Sequence, residues 1–232
     1  MTPRNNCRIG LWGNSMPSHN INLDALIIRE DLEAKESNSP IPDLAQGYLV
    51  SQFEKGQIFR SVLRKPDFQR ETASWTPEKV CELVRCFLEG DLIPSVILWR
   101  DPGGGNIFVI DGAHRLSALI AWIQDDYGDN NDSQIFFDRD IAKEQIDAAE
   151  KTRTLIQKSV GTYSSMKDAA AQQKGISESK LRMAQTLGVR NINVQWVQGD
   201  VKKAEESFFG NYIHDSTDAQ KGEFHGNLGG VS

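Results

Sequence analysis

The passage Phe108–Leu119 limits the fold of this chain more than any other part of the sequence. Its first residues belong to the stretch Asn106–Ile110, whose last four residues are apolar as in a buried strand. Asp111-Gly112 interrupts that run, and apolar residues then recur at helical spacing. They are Leu116, Leu119, Ile120 and Ile123. The sequence therefore predicts a strand, a sharp corner, and an amphipathic helix that ends near Gly128.

Further elements are predicted upstream of this corner. Thr76-Pro77 is typical of a helix start, because threonine caps and proline suits the first turn, and Gly90 ends that helix. Ser95–Arg100 has the pattern of a short buried strand, and the turn 101–106 would make it antiparallel to the strand before the corner. An earlier strand is predicted at Gln57–Leu63 from its apolar and β-branched residues.

These patterns predict an α+β fold, with a small mixed sheet and helices followed by a mainly helical subdomain. We expect four regions along the chain. They are a polar segment and linker at 1–45, a core at 46–138, a mainly helical part at 139–209 and a flexible tail at 210–232. Within the helical part, Asn191–Val197 is expected to form a short strand.

Charge and hydropathy exclude some classes of protein. The formal net charge is −6, which argues against a broad basic face that coats DNA but leaves room for a local basic groove or a free nucleotide. No apolar run approaches the roughly 18–20 residues that span a bilayer, and Met1–Ser18 lacks the apolar core of a secretory signal. The sequence predicts a cytoplasmic protein without a membrane partner.

The corner at Asp111-Gly112 is also where chemistry is expected. The first N–H groups of the following helix have no helical partners and carry partial positive charge, so they form an anion site. Gly112 lets an anion approach the backbone, and Arg115 offers a planar guanidinium to phosphate oxygens. Asp111 could hold a cation or orient a water, and His114 could move a proton near neutral pH. The structural alternative is a simple turn and helix cap, with Arg115 in a surface ion pair.

A charged segment precedes the helix that starts at Thr76-Pro77. It places three cations and a carboxamide close together, and its members are Arg64, Lys65, Asp67, Gln69 and Arg70. These side chains could line the same pocket as the corner, or they could form a solvated charged loop. Trp75 could stack on a base or pack in the core.

Several separated motifs occur in an order that resembles the family called domain of unknown function 262. They are Lys65-Pro-Asp-Phe-Gln-Arg70, Trp75, a helix ending at Gly90, Ile93-Pro94-Ser-Val-Ile97 and Ile110-Asp-Gly-Ala-His-Arg-Leu-Ser-Ala-Leu119. The resemblance covers roughly residues 57–125. That family includes the S half of the modification-dependent GmrSD restriction systems and the phosphorothioate-sensing SspE proteins. Its signature is Asp-Gly-Gln-Gln-Arg, followed by leucine and a helix.

The resemblance implies a ParB/sulfiredoxin-like fold for the core. It also implies binding or hydrolysis of a nucleoside triphosphate with Mg²⁺, in a DNA restriction or phage-defence protein that works with DNA or a separate nuclease subunit. Carried over by position, Asp111, Gly112 and Arg115 match the signature, and Gln69 and Arg70 match the upstream motif. With His114 added for its own chemistry, the predicted catalytic residues are Asp111, His114 and Arg115, and the predicted nucleotide-binding residues are Gln69, Arg70, Gly112 and Arg115. Ala113 and His114 stand where the signature has two glutamines, so the site lacks both carboxamides, and the histidine keeps one polar group with a different reach.

Two other functions stay open from the sequence. One is a non-catalytic ParB-like DNA-binding or regulatory module, in which Arg64, Lys65 and Arg70 contact DNA phosphates. The other is an inactive remnant of a longer restriction protein. The acidic net charge argues against the DNA-binding module.

Overall fold

The computed structural model describes residues 20–32, 44–69, 74–172 and 175–208. Within this part of the chain, strands form a six-stranded mixed sheet. The strands are β1 (Ile28–Glu30), β2 (Gly47–Leu49), β3 (Leu63–Pro66), β4 (Val96–Arg100), β5 (Ile107–Asp111) and β6 (Asn191–Val197). Their order across the sheet is β1-β3-β5-β4-β6-β2, so the α+β prediction is confirmed.

Helices pack around this sheet. They are α1 (Ile58–Val62), α2 (Pro77–Glu89), α3 (Ala113–Gln124), α4 (Asn131–Phe136), α5 (Lys143–Ser159), α6 (Tyr163–Gln172), α7 (Glu178–Val189) and α8 over 201–208. Short 3₁₀ turns stand at Asp24–Leu26 and Val50–Phe53. Within the part at 139–209 that was predicted to be mainly helical, α5, α6 and α7 are followed by β6 and α8.

Three neighbouring strands, β1, β3 and β5, run parallel to one another. Leu63 pairs with Ile107 and Arg64 with Phe108, so β3 and β5 end at the same edge of the sheet. The segment 67–69 therefore lies beside the corner Asp111-Gly112. Ligands of open α/β sheets bind at such carboxyl edges, and β4 runs antiparallel on the other side of β5.

The two faces of the sheet are buried in different ways. One face packs under α2 and α3 in the main core, to which Leu63 and Val109 belong. The opposite face carries a smaller cluster of Trp99, Phe108 and Ile110, with Ala204 of α8 packed against it. Side chains alternate along a strand, so Lys65 shares the α3 face with Leu63, and Arg64 lies on the other.

Most local predictions are confirmed. The Thr76 hydroxyl accepts a hydrogen bond from the Lys79 amide at 3.4 Å, and Gly90 ends α2 with φ 87°. The strands β4 and β5 are antiparallel, and β6 covers the predicted range Asn191–Val197. In the sheet β6 lies between β4 and β2.

The strand predicted at Gln57–Leu63 is wrong, because α1 occupies Ile58–Val62 and the strand begins at Leu63. A short apolar run does not distinguish the two structures, and packing decides. Phe59 is buried and stacks on Tyr48 at 3.8 Å between ring centroids, whereas Ile58 is 82% exposed. A single helical turn places Phe59 in the core and leaves Ile58 in solvent.

The polar N-terminal region contributes more to the core than its composition suggested. Leu23, Leu26 and Ile27 are buried, and Ile28–Glu30 adds an edge strand to the sheet. Ile21 forms a bridge to Trp75, which ties this segment to the start of α2. The predicted tail at 210–232 lies outside the described residues.

Candidate functional site

The corner between β5 and α3 presents the uncapped end of a helix. Gly112 is the N-cap residue of α3 and adopts the left-handed conformation with φ 94°, and as a glycine it supplies no side-chain acceptor to the first turn. Ala113, the first helical residue, is only 3% exposed. A buried helix start without a cap leaves its N–H groups in need of an acceptor, and an anion supplies one.

Arg115 lies across this corner and contacts the strand on the β4 side. Its Nη2 donates to the Asp111 carboxylate at 2.7 Å and to the Ser95 carbonyl at 3.2 Å. The Nε of Arg115 is buried and has no acceptor among the described residues. The ion pair expected in the structural alternative therefore exists, but it leaves part of the guanidinium unused.

His114 points to the other side of β5. Its Nε2 lies 3.0 Å from the Ser74 hydroxyl, and its ring stacks on Trp75 at 5.9 Å between centroids. Burial lowers the pKa of His114, and the positive charges of Lys65 and Arg115 lower it further. The imidazole is therefore favoured in its neutral form, which can accept or donate a proton through one nitrogen.

We expect His114 to make the protein less stable in mild acid. Its pKa in the folded state is lowered from the ordinary 6.5. Below pH 6.5 the histidine of the unfolded chain binds a proton while that of the folded protein stays neutral, so the free energy of unfolding decreases as the pH falls. Well above pH 6.5 both states are neutral, and His114 does not make stability depend on pH. The free energy of unfolding changes by at most about 1.4 kcal/mol per pH unit from this one group, and we expect a smaller change because the ring is partly exposed. Equilibrium unfolding of His114→Gln from pH 8 to pH 5 should show a shallower acid loss than wild type. Equal slopes would contradict the prediction.

A buried ion network lies beneath His114. Lys65 has no exposed surface, and its ammonium contacts the carboxylate and the carbonyl oxygen of Asp24. Arg29 donates to the same carboxylate at 2.9 and 3.1 Å. Asp24 therefore holds two cations at the edge of the sheet, and one of them faces the α3 side.

Arg29 also fixes the segment that follows β3. Its Nη1 donates to the carbonyl oxygens of Asp67 and Gln69, the first at 2.9 Å. The Gln69 Oε1 is buried and has no donor among the described residues. Gln69 thus has an acceptor without a described donor at the same edge of the sheet as the start of α3.

The predicted site residues fall into two groups around β5. His114 lies with Lys65 and Trp75 on the β3 side, whereas Arg115 lies on the β4 side. The cavity that Arg115 lines has a volume of only 20 Å³, room for about one water, and Gln69 is not among its lining residues. The joint grip of Gln69 and Arg115 on one ligand stays a prediction, and Arg70 lies outside the described residues.

The side chains considered for DNA contact are also placed by the structure. Arg64 donates to the Glu30 carboxylate at 2.7 Å and to the Ser61 and Leu63 carbonyl oxygens. Lys65 faces the interior. No described observation favours a phosphate contact by either of them.

Sequence reasoning missed Asp24 and Arg29. Both lie within 21–30, a mostly apolar segment that the sequence placed in a polar N-terminal region. The available signal was a carboxylate in the middle of the run Leu23–Ile28, since a charge within a buried run is expected to have a partner. The identity of that partner depends on strand pairing.

Gly112→Ala is expected to lower stability by more than a simple turn substitution would. A β-carbon in the left-handed conformation costs about 1–2 kcal/mol, and here it would also lie 2.9 Å from the Arg115 Nη2 and 3.1 Å from Val96. Gly105→Ala is the matched control, because Gly105 has φ 76° and nothing within 4 Å of the added atom. Denaturant unfolding that gives equal losses for both variants would contradict a tight contact at Gly112.

Among the described residues, no helix is both long and apolar enough to cross a bilayer. No group of three or more histidine, cysteine, aspartate or glutamate side chains is arranged to hold a metal ion there.

Comparison with known proteins gives one family. The family model described as the N-terminal domain of GmrSD restriction endonuclease matches residues 49–221, which is more than half of the chain and includes the whole corner. Comparisons with curated proteins and with solved structures gave no significant match.

Proposed function

The chain belongs to the family of GmrSD restriction endonuclease N-terminal domains, and on that basis we propose that it binds and hydrolyses a nucleoside triphosphate within a restriction-type protein. The membership supports a role in restriction or phage defence. The nucleotide and its hydrolysis are our proposal, as is the ParB/sulfiredoxin-like class of the core.

The observation that carries the proposal is the uncapped start of α3. It lies at the carboxyl edge of parallel strands, and its N-cap residue is a glycine, which supplies no side-chain acceptor to the first-turn N–H groups. Phosphate groups bind such helix ends because backbone donors and the helix dipole act together. A carboxylate or a water could fill the same place, so the test must use the nucleotides themselves.

In this proposal the phosphates bind the first-turn amides, and Arg115 neutralises the charge that develops on them. Its described hydrogen bonds both come from Nη2, and its Nε has no acceptor, so donors remain for a phosphate oxygen. Entry requires the region around Arg115 to open, because the present cavity there holds only 20 Å³. Phosphoryl transfer depends mainly on such positioning and charge stabilisation.

His114 and Gln69 are proposed to act on the attacking water. A neutral imidazole can take a proton near pH 7, and burial with nearby cations keeps His114 neutral by lowering its pKa. The unpaired Oε1 of Gln69 is an acceptor, which suits a water better than a phosphate oxygen. Water would then lie on the β3 side and phosphate on the β4 side.

Mg²⁺ would enter as part of the nucleotide complex. Asp111 is the carboxylate at the corner, and it is paired with Arg115. One carboxylate together with phosphate oxygens and water is a usual set of ligands for this ion. Asp111 would be the protein ligand of the metal ion. When the nucleotide binds, Arg115 would leave the Asp111 carboxylate and pair with a phosphate group instead.

DNA and a nuclease subunit are the proposed macromolecular partners. This part rests on the family, whose description names a restriction endonuclease. No contact residues are proposed for either partner.

Calorimetric titration with each of the four NTPs, with and without Mg²⁺, tests binding, and phosphate release tests hydrolysis. We expect saturable binding of at least one NTP and release above the rate without protein. Arg85→Ala is the control for the test variant Arg115→Ala, because Arg85 pairs with Glu82 and Glu89 on α2, away from the corner. Failure to bind any NTP at millimolar concentration would reject the proposal.

A further inference from the structure

A separate cavity lies at the other end of α3. It has a volume of 320 Å³ and opens between α1, α4 and the C-terminal end of α3. A helix of 12 residues is about 18 Å long, so this cavity is remote from the corner at Gly112. Residues that line it include Lys55, Arg60, Gln124, Asp132, Ile135 and Phe136. Nothing in the proposed nucleotide chemistry uses these side chains.

Two side chains that line the cavity carry hydrogen-bond donors without acceptors. The Nε of Arg60 and the Nε2 of Gln124 are buried, and neither has a partner among the described residues. Buried donors are nearly always satisfied in folded proteins. Two donors beside one cavity that lack an acceptor among the described residues leave room there for the acceptor atom of a ligand.

The charges at the cavity also favour an anion. Lys55 at 3.1 Å and Arg60 at 3.7 Å share the carboxylate of Asp132, the one acidic side chain among the described lining residues. Burial lowers the pKa of Arg60, and the attraction of Asp132 does not fully offset it. A second negative group would complete the charge balance.

A neighbouring cavity of 420 Å³ provides a useful contrast. It shares Lys55 and Gln124, but Glu54, Asp126 and Asp168 also line it. Its acidic lining makes it a poor site for an anion. The two cavities therefore differ in the sign of their lining charge, although they are adjacent.

The other walls of the first cavity are apolar and reach solvent. Ile135 is 75% exposed, Phe136 47% and Ile28 55%, and all three line the cavity. Exposed aromatic and branched side chains beside a cationic floor suit a ligand with an apolar body and one charged end.

We propose that this cavity binds a small organic anion, namely an aromatic or apolar body that carries a carboxylate, phosphate or sulfonate. The acidic group lies against Arg60 and Gln124, and the body packs on Phe136 and Ile135. This site is independent of the proposed nucleotide site, and failure of either leaves the other intact.

A pair of fluorescent probes tests the proposal on the full chain. Anilinonaphthalene sulfonate has an aromatic body and an anionic group, and N-phenyl-1-naphthylamine shares the ring system without the sulfonate. We expect wild type to bind the sulfonate roughly tenfold more tightly than the neutral probe, because a charge-assisted hydrogen bond is available to it alone. Equal affinity for the two probes, or binding of neither, would overturn the proposal.

Variants then assign the binding to this cavity. Arg60→Gln should remove most of the preference for the sulfonate and leave the neutral probe within about twofold, which also shows that the cavity is intact. Lys55 is exposed, so Lys55→Gln is expected to fold normally and to lower the affinity for the sulfonate probe by a smaller factor than Arg60→Gln does. Lys167→Gln, in the neighbouring cavity, should change neither probe. If Lys55→Gln left sulfonate binding unchanged and Arg60→Gln either did the same or failed to fold, the assignment would be wrong.

Discussion

Replacing Asp24 with asparagine is expected to destabilise the protein by about 3–5 kcal/mol, since it removes a buried carboxylate that both Lys65 and Arg29 contact. Lys65 has no exposed surface, and the Arg29 side chain is 24% exposed. For a chain of this size, such a loss lowers the melting temperature by roughly 6–20 °C. Thermal and denaturant unfolding measure it directly.

Glu30→Gln is the matched control for that substitution. It also converts a carboxylate into an amide and also breaks an ion pair, here with Arg64. Glu30 is 44% exposed, so the expected loss is below about 1 kcal/mol. A small effect of Asp24→Asn, equal to that of Glu30→Gln, would show that the buried network contributes little.

Asp24→Asn should also affect the segment 67–69. Arg29 holds this segment through the carbonyl oxygens of Asp67 and Gln69, and Asp24 orients Arg29. Hydrogen exchange at these amides is expected to rise in the variant under conditions where the protein stays folded. Unchanged protection there would separate the stability role of Asp24 from any role in ordering the loop.

Arg115→Ala is expected to lower kcat/KM for NTP hydrolysis by roughly 10²–10³-fold, if the proposed function holds. The substitution removes the guanidinium that faces the helix start, and with it the partner of Asp111. Arg115→Lys keeps the charge but loses the fork geometry, so an intermediate loss is expected. Phosphate release under saturating and subsaturating NTP separates an effect on kcat from one on KM.

Stability must be measured on the same variants. Asp111 is 47% exposed, so the loss of its partner should cost little folding free energy. Arg85→Ala also removes an ion-paired arginine, although its side chain is 39% exposed against 21% for Arg115, and it should leave the rate unchanged. Wild-type rates in a folded Arg115→Ala protein would end the catalytic role of Arg115 while leaving nucleotide binding to be judged by calorimetry.

The elements that the sequence predicted correctly are those whose signals lie within a few residues. The helix α2 has its capping threonine, proline and terminal glycine in its own sequence, and the hairpin of β4 and β5 is joined by a short glycine-rich turn. The corner at Asp111-Gly112 follows in the same way, since a glycine with positive φ joins a strand to a helix. These elements form through local conformational preferences, so a short stretch of sequence is enough to predict each of them.

Tertiary structure decided everything that depends on distant partners. Whether 58–62 forms a helix was settled by the packing of Phe59 on Tyr48, and the burial of Lys65 by its pairing with Asp24, 41 residues away. The directions of His114 and Arg115 diverge because successive helical residues point about 100° apart, and only the sheet order shows which strand each one meets. The sequence by itself therefore determined the strand, the glycine corner and the helix start at which we propose an anion site. The side chains that surround it, and the second cavity at Arg60, were determined by contacts between residues far apart in the chain.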